Sequence, residues 1–189
     1  MDGATLMAST PLATPASHWT DKACAGESEA EQLIYRSRLL GADLAVTNYG
    51  GGNTSAKVED RDPLTGEPIT VLWVKGSGGD LGTIAAGGFA TLDLARLLAL
   101  DARYKGPEQE DAMSGMLSHC TFKSNPRAAS IDTALHALLP YAHIDHMHPD
   151  SVTALAAAED GEALTQDVFG GEIGWLAWRR PGWELARQL

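Results

Sequence analysis

The 189-residue sequence contains little cysteine and no long apolar run. Its two cysteines, Cys24 and Cys120, make neither a disulfide framework nor a CxxC metal cluster, which fits a reducing compartment. No apolar stretch approaches the roughly 20 residues that a helix needs to cross a bilayer. These absences predict a cytoplasmic protein without a membrane partner.

Basic residues are also few, since 14 Lys and Arg stand against 25 Asp and Glu and leave a formal charge of −11. No cluster of Lys and Arg is interleaved with aromatic residues. A general nucleic-acid binder needs a basic face that replaces phosphate counterions, so we expect no nucleic-acid partner. An acidic protein can still bind a phosphorylated substrate in a local pocket.

The composition is that of one folded domain. The sequence is 44% hydrophobic, with 20 Gly and 9 Pro, which excludes a collagen-like or wholly disordered chain. Residues 1–25 are rich in Ala, Thr, Ser and Pro but lack a basic segment followed by a continuous apolar one, so they are predicted to be a disordered leader and not a secretory signal. The domain is expected to occupy residues 26–189.

Helical and strand patterns alternate along the chain, which indicates an α/β or α+β fold. The first helix is predicted to begin at Ser28, whose Ser-x-x-Glu pattern is a capping box, and to end near Val46. Further helices are predicted over residues 89–104, 110–118 and 130–139, with a short one after Asp150. Strands are predicted over residues 53–59, 68–74, 142–147 (buried) and 174–182.

Two histidines two residues apart, His146 and His148, carry the strongest chemical signal. On a strand they would share a face and could chelate one divalent cation, typically zinc, whereas His143 would point to the opposite face. The alternative is a polar strand whose histidines are satisfied by their neighbours.

Asp132 and His136 stand four residues apart in the predicted helix that Ser130 begins, so they share a helix face. A carboxylate beside a metal could be a ligand or a general acid and base. Alternatively, Asp132 only complements the helix dipole.

Two glycine-rich loops, residues 50–53 and 76–79, expose backbone amides beside small side chains, which suits an anion. Neither follows the Walker or the GxGxxG dinucleotide pattern. Each could equally be an ordinary turn.

In combination, four short motifs resemble the class II aldolase/adducin family in order and approximate spacing. They are Gly52-Asn53-Thr54-Ser55, Lys75-Gly76-Ser77-Gly78, Ser130-Ile131-Asp132 and His146-Met147-His148. Longer stretches at residues 33–37, 47–57 and 131–140 resemble a narrower branch, the amino-terminal aldolase part of bifunctional rhamnulose-1-phosphate aldolase/lactaldehyde dehydrogenase proteins. The resemblance covers residue 28 to the end.

This resemblance implies a three-layer α/β/α fold with a mainly antiparallel central sheet, usually assembled as a tetramer. It implies zinc-dependent cleavage of a phosphorylated ketose, rhamnulose 1-phosphate, to dihydroxyacetone phosphate and L-lactaldehyde. His146 and His148 would be zinc ligands and Asp132 would exchange a proton with the substrate. The substrate phosphate would be bound by Asn53, Ser77, Gly78 and Ser130.

The sequence departs from the family pattern in two places. Asp132 stands where the short aldolases carry a longer glutamate. The third histidine ligand of the family lies roughly 60 residues beyond the first pair, so we expect it beyond the carboxyl terminus of this chain and expect the aldolase domain to be incomplete there. Alternative functions are a pentulose-phosphate epimerase or dehydratase of the same fold, a non-catalytic adducin-like module, or an inactive fragment.

Overall fold

The structure, a computed structural model, describes residues 16–189. It contains four strands, β1 (Asn53–Arg61), β2 (Pro68–Lys75), β3 (Phe89–Asp93) and β4 (His143–His146). The helices are α1 (Asp21–Cys24), α2 (Glu29–Ala42), α3 (Leu94–Asp101), α4 (Glu110–Met116), α5 (Thr133–Leu138), α6 (Asp150–Ala157), α7 (Gly161–Phe169) and α8 (Trp183–Gln188).

The four strands form one antiparallel sheet in the order β3-β2-β1-β4. Strand β1 is central and pairs with β2 along most of its length, while its first four residues also pair with β4. Asn53, the first residue of β1, lies opposite His146, the last residue of β4. The register therefore places two of the predicted site residues side by side at one end of the sheet.

Helices cover both faces of the sheet, which confirms the predicted three-layer α/β/α architecture. On one face, α2 packs against a small core that contains Leu33, Ala56 and Phe89. On the other face, a larger core joins strand residues to α3, α4, α5 and α8, with Leu72, Leu97, Leu135 and Trp183 among its members. Helix α5 lies in this second layer, beside the central strand.

Helix α2 begins as predicted and ends earlier. The Ser28 hydroxyl accepts from the Glu31 amide, and the Glu31 carboxylate accepts from the Ser28 amide, so both halves of the capping box are formed. The helix ends at Ala42 and not near Val46.

The helix predicted over residues 89–104 is wrong in its first third. Phe89–Asp93 is strand β3, and only Leu94–Asp101 is helical. Pairing with β2 outweighs the helical spacing of the leucines, and the Asp93 carboxylate then caps the new helix by accepting from the Arg96 amide. The Asp93 cap, and not the spacing of the leucines, marks where this helix begins.

Strand β4 is shorter and more exposed than the buried strand predicted over residues 142–147. It comprises His143–His146, in which exposed and half-buried residues alternate, because β4 is an edge strand. The strand predicted over residues 174–182 is also wrong, since residues 174–180 have no regular secondary structure. The chain instead turns at Gly182 into α8, where Trp183 is buried.

Three further predictions concern the amino-terminal stretch, membrane-spanning helices and the two cysteines. Helix α1 falls within the stretch predicted to be a leader, and residues 1–15 of that stretch lie outside the described residues. Among residues 16–189, no helix has both the length and the apolar character for a bilayer crossing. Cys24 and Cys120 are both free and buried.

Candidate functional site

The cross-strand pair of Asn53 and His146 lies at the centre of the site. Asn53 is buried, and its side-chain Oδ1 lies 3.1 Å from Nδ1 of His146. An amide oxygen can only accept, so Nδ1 of His146 carries the proton and Nε2 keeps its lone pair. The Nδ2 group of Asn53 makes no hydrogen bond to any other residue within 16–189 and remains a free donor.

His148 reaches His146 from beyond the end of the strand. The prediction that both histidines lie in one strand is wrong, because β4 ends at His146. The rings nevertheless meet, with their Nε2 atoms 2.9 Å apart. A Cβ on Gly51 would lie 2.9 Å from Nδ1 of His148, so the glycine allows the ring to pack against the loop before β1.

His143 points to the opposite face of the sheet, as predicted. Its Nδ1 is 3.2 Å from the Arg36 guanidinium, which also donates to Asp145 at 3.1 Å and to the carbonyl of Ser55 at 2.8 Å. These contacts fasten the edge strand to helix α2. They leave His143 unavailable to the His146 side of the sheet.

The loop after β2 contributes Ser77 and Gly78. The Ser77 amide donates to the carbonyl of Ala128 at 3.0 Å and is therefore not free for a ligand, which restricts the expected role of this residue to its hydroxyl. Gly78 has φ of +69°, a left-handed conformation that glycine adopts without strain. Its amide makes no hydrogen bond to the protein among the described residues.

Ser130 and Asp132 lie just before α5. The prediction that Ser130 begins this helix is wrong, because Asp132 occupies the N-cap position and Thr133 is the first helical residue. The Ser130 hydroxyl donates to the Asp132 carboxylate at 3.1 Å and accepts from the Asp132 amide at 3.3 Å. These bonds fix the orientation of the carboxylate at the amino end of the helix.

One small cavity, of about 140 Å³, collects most of the predicted site residues. It is lined by Gly50, Gly51, Gly52, Asn53, Lys75, Gly76, Ser77, Gly78, Ser130, Asp132 and His148. His146 is absent from the lining but contacts both Asn53 and His148. Four separate segments of the chain thus meet at one place, as the family resemblance implies.

Lys75 is the main residue in this cavity that has no predicted role. It ends strand β2, only 3% of its surface is exposed, and its ammonium group makes no hydrogen bond to any residue in 16–189. Burial lowers the pKa of Lys75, Arg127 lowers it further, and Asp132 and Asp80 oppose the shift. The sequence feature that could have indicated a role for Lys75 is its position between an apolar strand and a glycine-rich loop.

His136 is fully buried beneath the site. Its Nδ1 lies 2.7 Å from the Ser55 hydroxyl, while Nε2 has no partner among the described residues. Burial lowers the pKa of His136 to about 3, with smaller contributions from His146 and Lys57. Although His136 and Asp132 are four residues apart, only Asp132 lines the cavity. The helix face that the two residues were predicted to share therefore contributes one residue to the site.

The histidine pair fits part of a metal site. The Nε2 atoms of His146 and His148 converge, and the Nδ1 proton of His146 is held by an amide oxygen, which is the outer-shell arrangement common to metal-binding histidines. Burial lowers the pKa of His146, which favours the neutral form that binds metal; the Asp132 carboxylate opposes this shift. Within residues 16–189, no group of three or more His, Cys, Asp or Glu side chains is arranged around one point.

Comparison with known proteins gives matches over most of the chain. Residues 31–189 match the family model described as the class II aldolase and adducin N-terminal domain. A curated relative, the uncharacterized oxidoreductase YuxG of Bacillus subtilis (strain 168), is 43% identical over 159 residues, which are 84% of this chain. The match spans only 23% of that relative's length.

A solved structure agrees with the family match. The N-terminal class II aldolase domain of a conserved protein from Thermoplasma acidophilum superposes with a TM-score of 0.80 at 31% identity, covering 93% of this chain and 79% of the other. The l-fuculose-1-phosphate aldolase from Thermus thermophilus has a TM-score of 0.41 at 16% identity over 67% of this chain and 51% of the other, values too low to support an inference. The chain belongs to the class II aldolase/adducin family.

Proposed function

We propose that this domain binds a phosphorylated ketose and takes part in its metal-assisted retro-aldol cleavage, with rhamnulose 1-phosphate as the substrate and dihydroxyacetone phosphate and L-lactaldehyde as the products. The observation that carries the proposal is the cavity that holds Asn53, Ser77, Ser130 and Asp132 beside His148. Free donors and a proton-transferring carboxylate meet there next to two converging imidazole nitrogens.

The phosphate end of the substrate would be bound by donors that the protein does not use itself. They are the Gly78 amide, the hydroxyl of Ser77 and the Nδ2 group of Asn53. Lys75 adds a positive charge at the same cavity, in a chain with a net charge of −11. A buried ammonium without a protein partner is stabilised by an anionic ligand, since desolvation otherwise penalises its charge.

The reacting end of the substrate would face the histidine pair. A divalent cation such as zinc, held by His146 and His148, would supply Lewis-acid chemistry at the ketose carbonyl. Asn53 keeps the Nε2 lone pair of His146 available by accepting from Nδ1.

Asp132 would carry out the proton transfer that accompanies breaking of the C–C bond. The Ser130 hydroxyl holds one of its oxygens, and the side chain lines the cavity. A carboxylate at this point can accept a proton from the substrate and return it to carbon after cleavage. Asp132 is one methylene shorter than the glutamate of the short aldolases and lies at the N-cap, directly at the start of α5.

The name of the Bacillus relative does not alter this proposal. That protein is called an oxidoreductase, but the matched part is 23% of its length. The residues matched here contain the aldolase-family motifs and no GxGxxG pattern, so the proposal for this chain rests on its own cavity.

The proposal is tested by incubating the purified chain with rhamnulose 1-phosphate and zinc and measuring dihydroxyacetone phosphate through coupled oxidation of NADH. We expect product that disappears on chelation of the metal. Asp132→Asn, which preserves the size of the side chain, should lower the rate by about 100-fold or more because it removes the proton carrier.

Asp167→Asn, an exposed residue of α7, is the matched control and should retain the wild-type rate. Conversion of a pentulose phosphate without release of dihydroxyacetone phosphate would replace the aldolase proposal with the epimerase alternative. Absence of any turnover by folded, zinc-supplemented protein would overturn a catalytic role for this chain.

A further inference from the structure

Arg127 lies against the loop that follows β2 and contacts two consecutive peptide groups of it. One guanidinium nitrogen donates to the carbonyl of Ser77 at 2.6 Å and to the carbonyl of Gly78 at 2.7 Å. Both distances are short, as is typical of charge-assisted hydrogen bonds. No local sequence signal singles out this arginine.

The two contacts determine which way the neighbouring amides face. In a trans peptide the carbonyl and the following N–H point in opposite directions, and no cis peptide occurs in residues 16–189. With the carbonyls of Ser77 and Gly78 turned toward Arg127, the amides of Gly78 and Gly79 are turned away from it. Neither amide donates to another group among the described residues.

The glycines of this loop allow the Arg127 side chain to approach it this closely. A Cβ on Gly76 would lie 2.5 Å from both Cγ and Nε of Arg127, so only glycine leaves room for the side chain. Gly78 and Gly79 have φ of +69° and +84°, which lets two successive peptides present their carbonyls to one group.

Arg127 is itself held in place from the other side. Its amide donates to Oδ1 of Asn125 at 2.8 Å, and Nδ2 of Asn125 donates to the carbonyl of Phe89 at 3.0 Å. The Ser77 amide donates to the carbonyl of Ala128, one residue beyond the arginine. The loop and the arginine-bearing segment therefore form one unit anchored to β3.

Arg127 acts on the candidate cavity without lining it. Gly78 lines that cavity and also a neighbouring one near Thr83 and Gly88, which Gly79 and Arg127 line as well. A cation that hydrogen-bonds to a peptide carbonyl polarises the N–H of the same peptide group and strengthens it as a donor. We infer that Arg127 is a positioning residue that orients and polarises the Gly78 amide toward the phosphate group of the ligand. This inference rests on the proposed function.

The test is a titration of the 15N-labelled chain with inorganic phosphate, followed by NMR at the amide signal of Gly78. In the wild type we expect a downfield amide shift at this glycine. Arg127→Gln should weaken phosphate binding by about tenfold or more, the scale for loss of charge-assisted hydrogen bonds, and abolish the Gly78 shift. Arg127→Lys, which keeps the charge without the planar donor, should fall between the two.

Arg61→Gln is the matched control. Arg61 donates to the carbonyl of Gly66 in the β1–β2 turn at 2.9 Å, so its loss removes the same charge and a similar contact away from the cavity. This variant should bind phosphate as the wild type does. Thermal unfolding of each variant distinguishes loss of phosphate binding from loss of the fold. In Arg127→Ala, added methylguanidinium replaces the missing guanidinium group and should restore the Gly78 shift.

The possible outcomes distinguish failure of the inference about Arg127 from failure of the proposed function. A wild-type chain in which phosphate shifts no cavity amide contradicts the phosphate site and the inference together. A wild type that binds, with an Arg127→Gln variant that binds equally and shows the same Gly78 shift, overturns the inference and leaves the proposed function standing.

Discussion

Asn53 and His146 are paired across β1 and β4, and Oδ1 of the asparagine lies 3.1 Å from Nδ1 of the histidine. This contact joins the two halves of the candidate site, because the same asparagine offers its free Nδ2 group to the cavity. In the proposed function, one residue would thereby orient the nitrogen that binds the metal and supply a donor to the substrate phosphate.

Replacing Asn53 separates these two roles. Asn53→Ala should lower zinc affinity by about 10- to 100-fold, the usual effect of losing an outer-shell partner, as measured by competition with a chromophoric chelator. Asn53→Asp retains the acceptor and should retain zinc affinity, while its charge should weaken phosphate binding. Unchanged zinc affinity in Asn53→Ala would show that the asparagine does not orient His146.

Gly51 should tolerate no side chain. A Cβ there would collide with Oδ1 of Asn48 and lie 2.9 Å from Nδ1 of His148, so Gly51→Ala should displace the His148 ring and weaken zinc binding. Gly171→Ala is the control, because a Cβ at Gly171 meets nothing within 4 Å. Equal zinc affinity in Gly51→Ala and Gly171→Ala would contradict the expectation that the position of the His148 ring determines zinc binding.

His136 should make stability depend on pH. Its pKa of about 3 in the folded chain lies below the ordinary value of 6.5, so the unfolded chain binds more protons between these values and stability falls as pH falls through this window. For one such group the loss between pH 7 and pH 5 is about 2 kcal/mol.

His136→Asn can still hydrogen-bond to Ser55, and urea unfolding at pH 7 and pH 5 should show a smaller loss than the wild type. His119→Asn, at an exposed position, should lose as much as the wild type. If His136→Asn shows the same decrease as the wild type, the acid sensitivity arises from other groups.

Glu110 should be the main polar contributor to the packing of α8. This buried carboxylate accepts from the amides of Trp183 at 3.0 Å and Glu184 at 2.8 Å, and Tyr104 lies within hydrogen-bond distance. Glu110→Ala would leave buried donors unsatisfied, which should lower the free energy of unfolding by about 2–4 kcal/mol in urea titrations.

Glu108→Ala, at an exposed position two residues away, should change the free energy of unfolding by less than about 0.5 kcal/mol. Similar effects of the two substitutions would contradict a specific role for the buried carboxylate.

Local patterns predicted much of the fold and of the site. The capping box at Ser28 followed from a local signal, the antiparallel sheet followed from the family resemblance, and the four motifs identified residues that share one cavity. Leucine spacing predicts a helix over residues 89–93, because it does not reveal the long-range pairing of β3 with β2. The arginine against the glycine loop, Arg127, had no local signal, since its contacts reach 49 and 50 residues back along the chain.

The most direct test of the site is the zinc content of the purified chain after equilibrium dialysis, measured by elemental mass spectrometry in the wild type and in single alanine variants. His146 and His148 hold converging Nε2 atoms, whereas His143 lies on the other face of the sheet. We expect about one zinc per chain in the wild type and in His143→Ala, and loss of zinc in His146→Ala and in His148→Ala. Equal zinc in all four proteins, or none in the wild type, would contradict the proposed metal site.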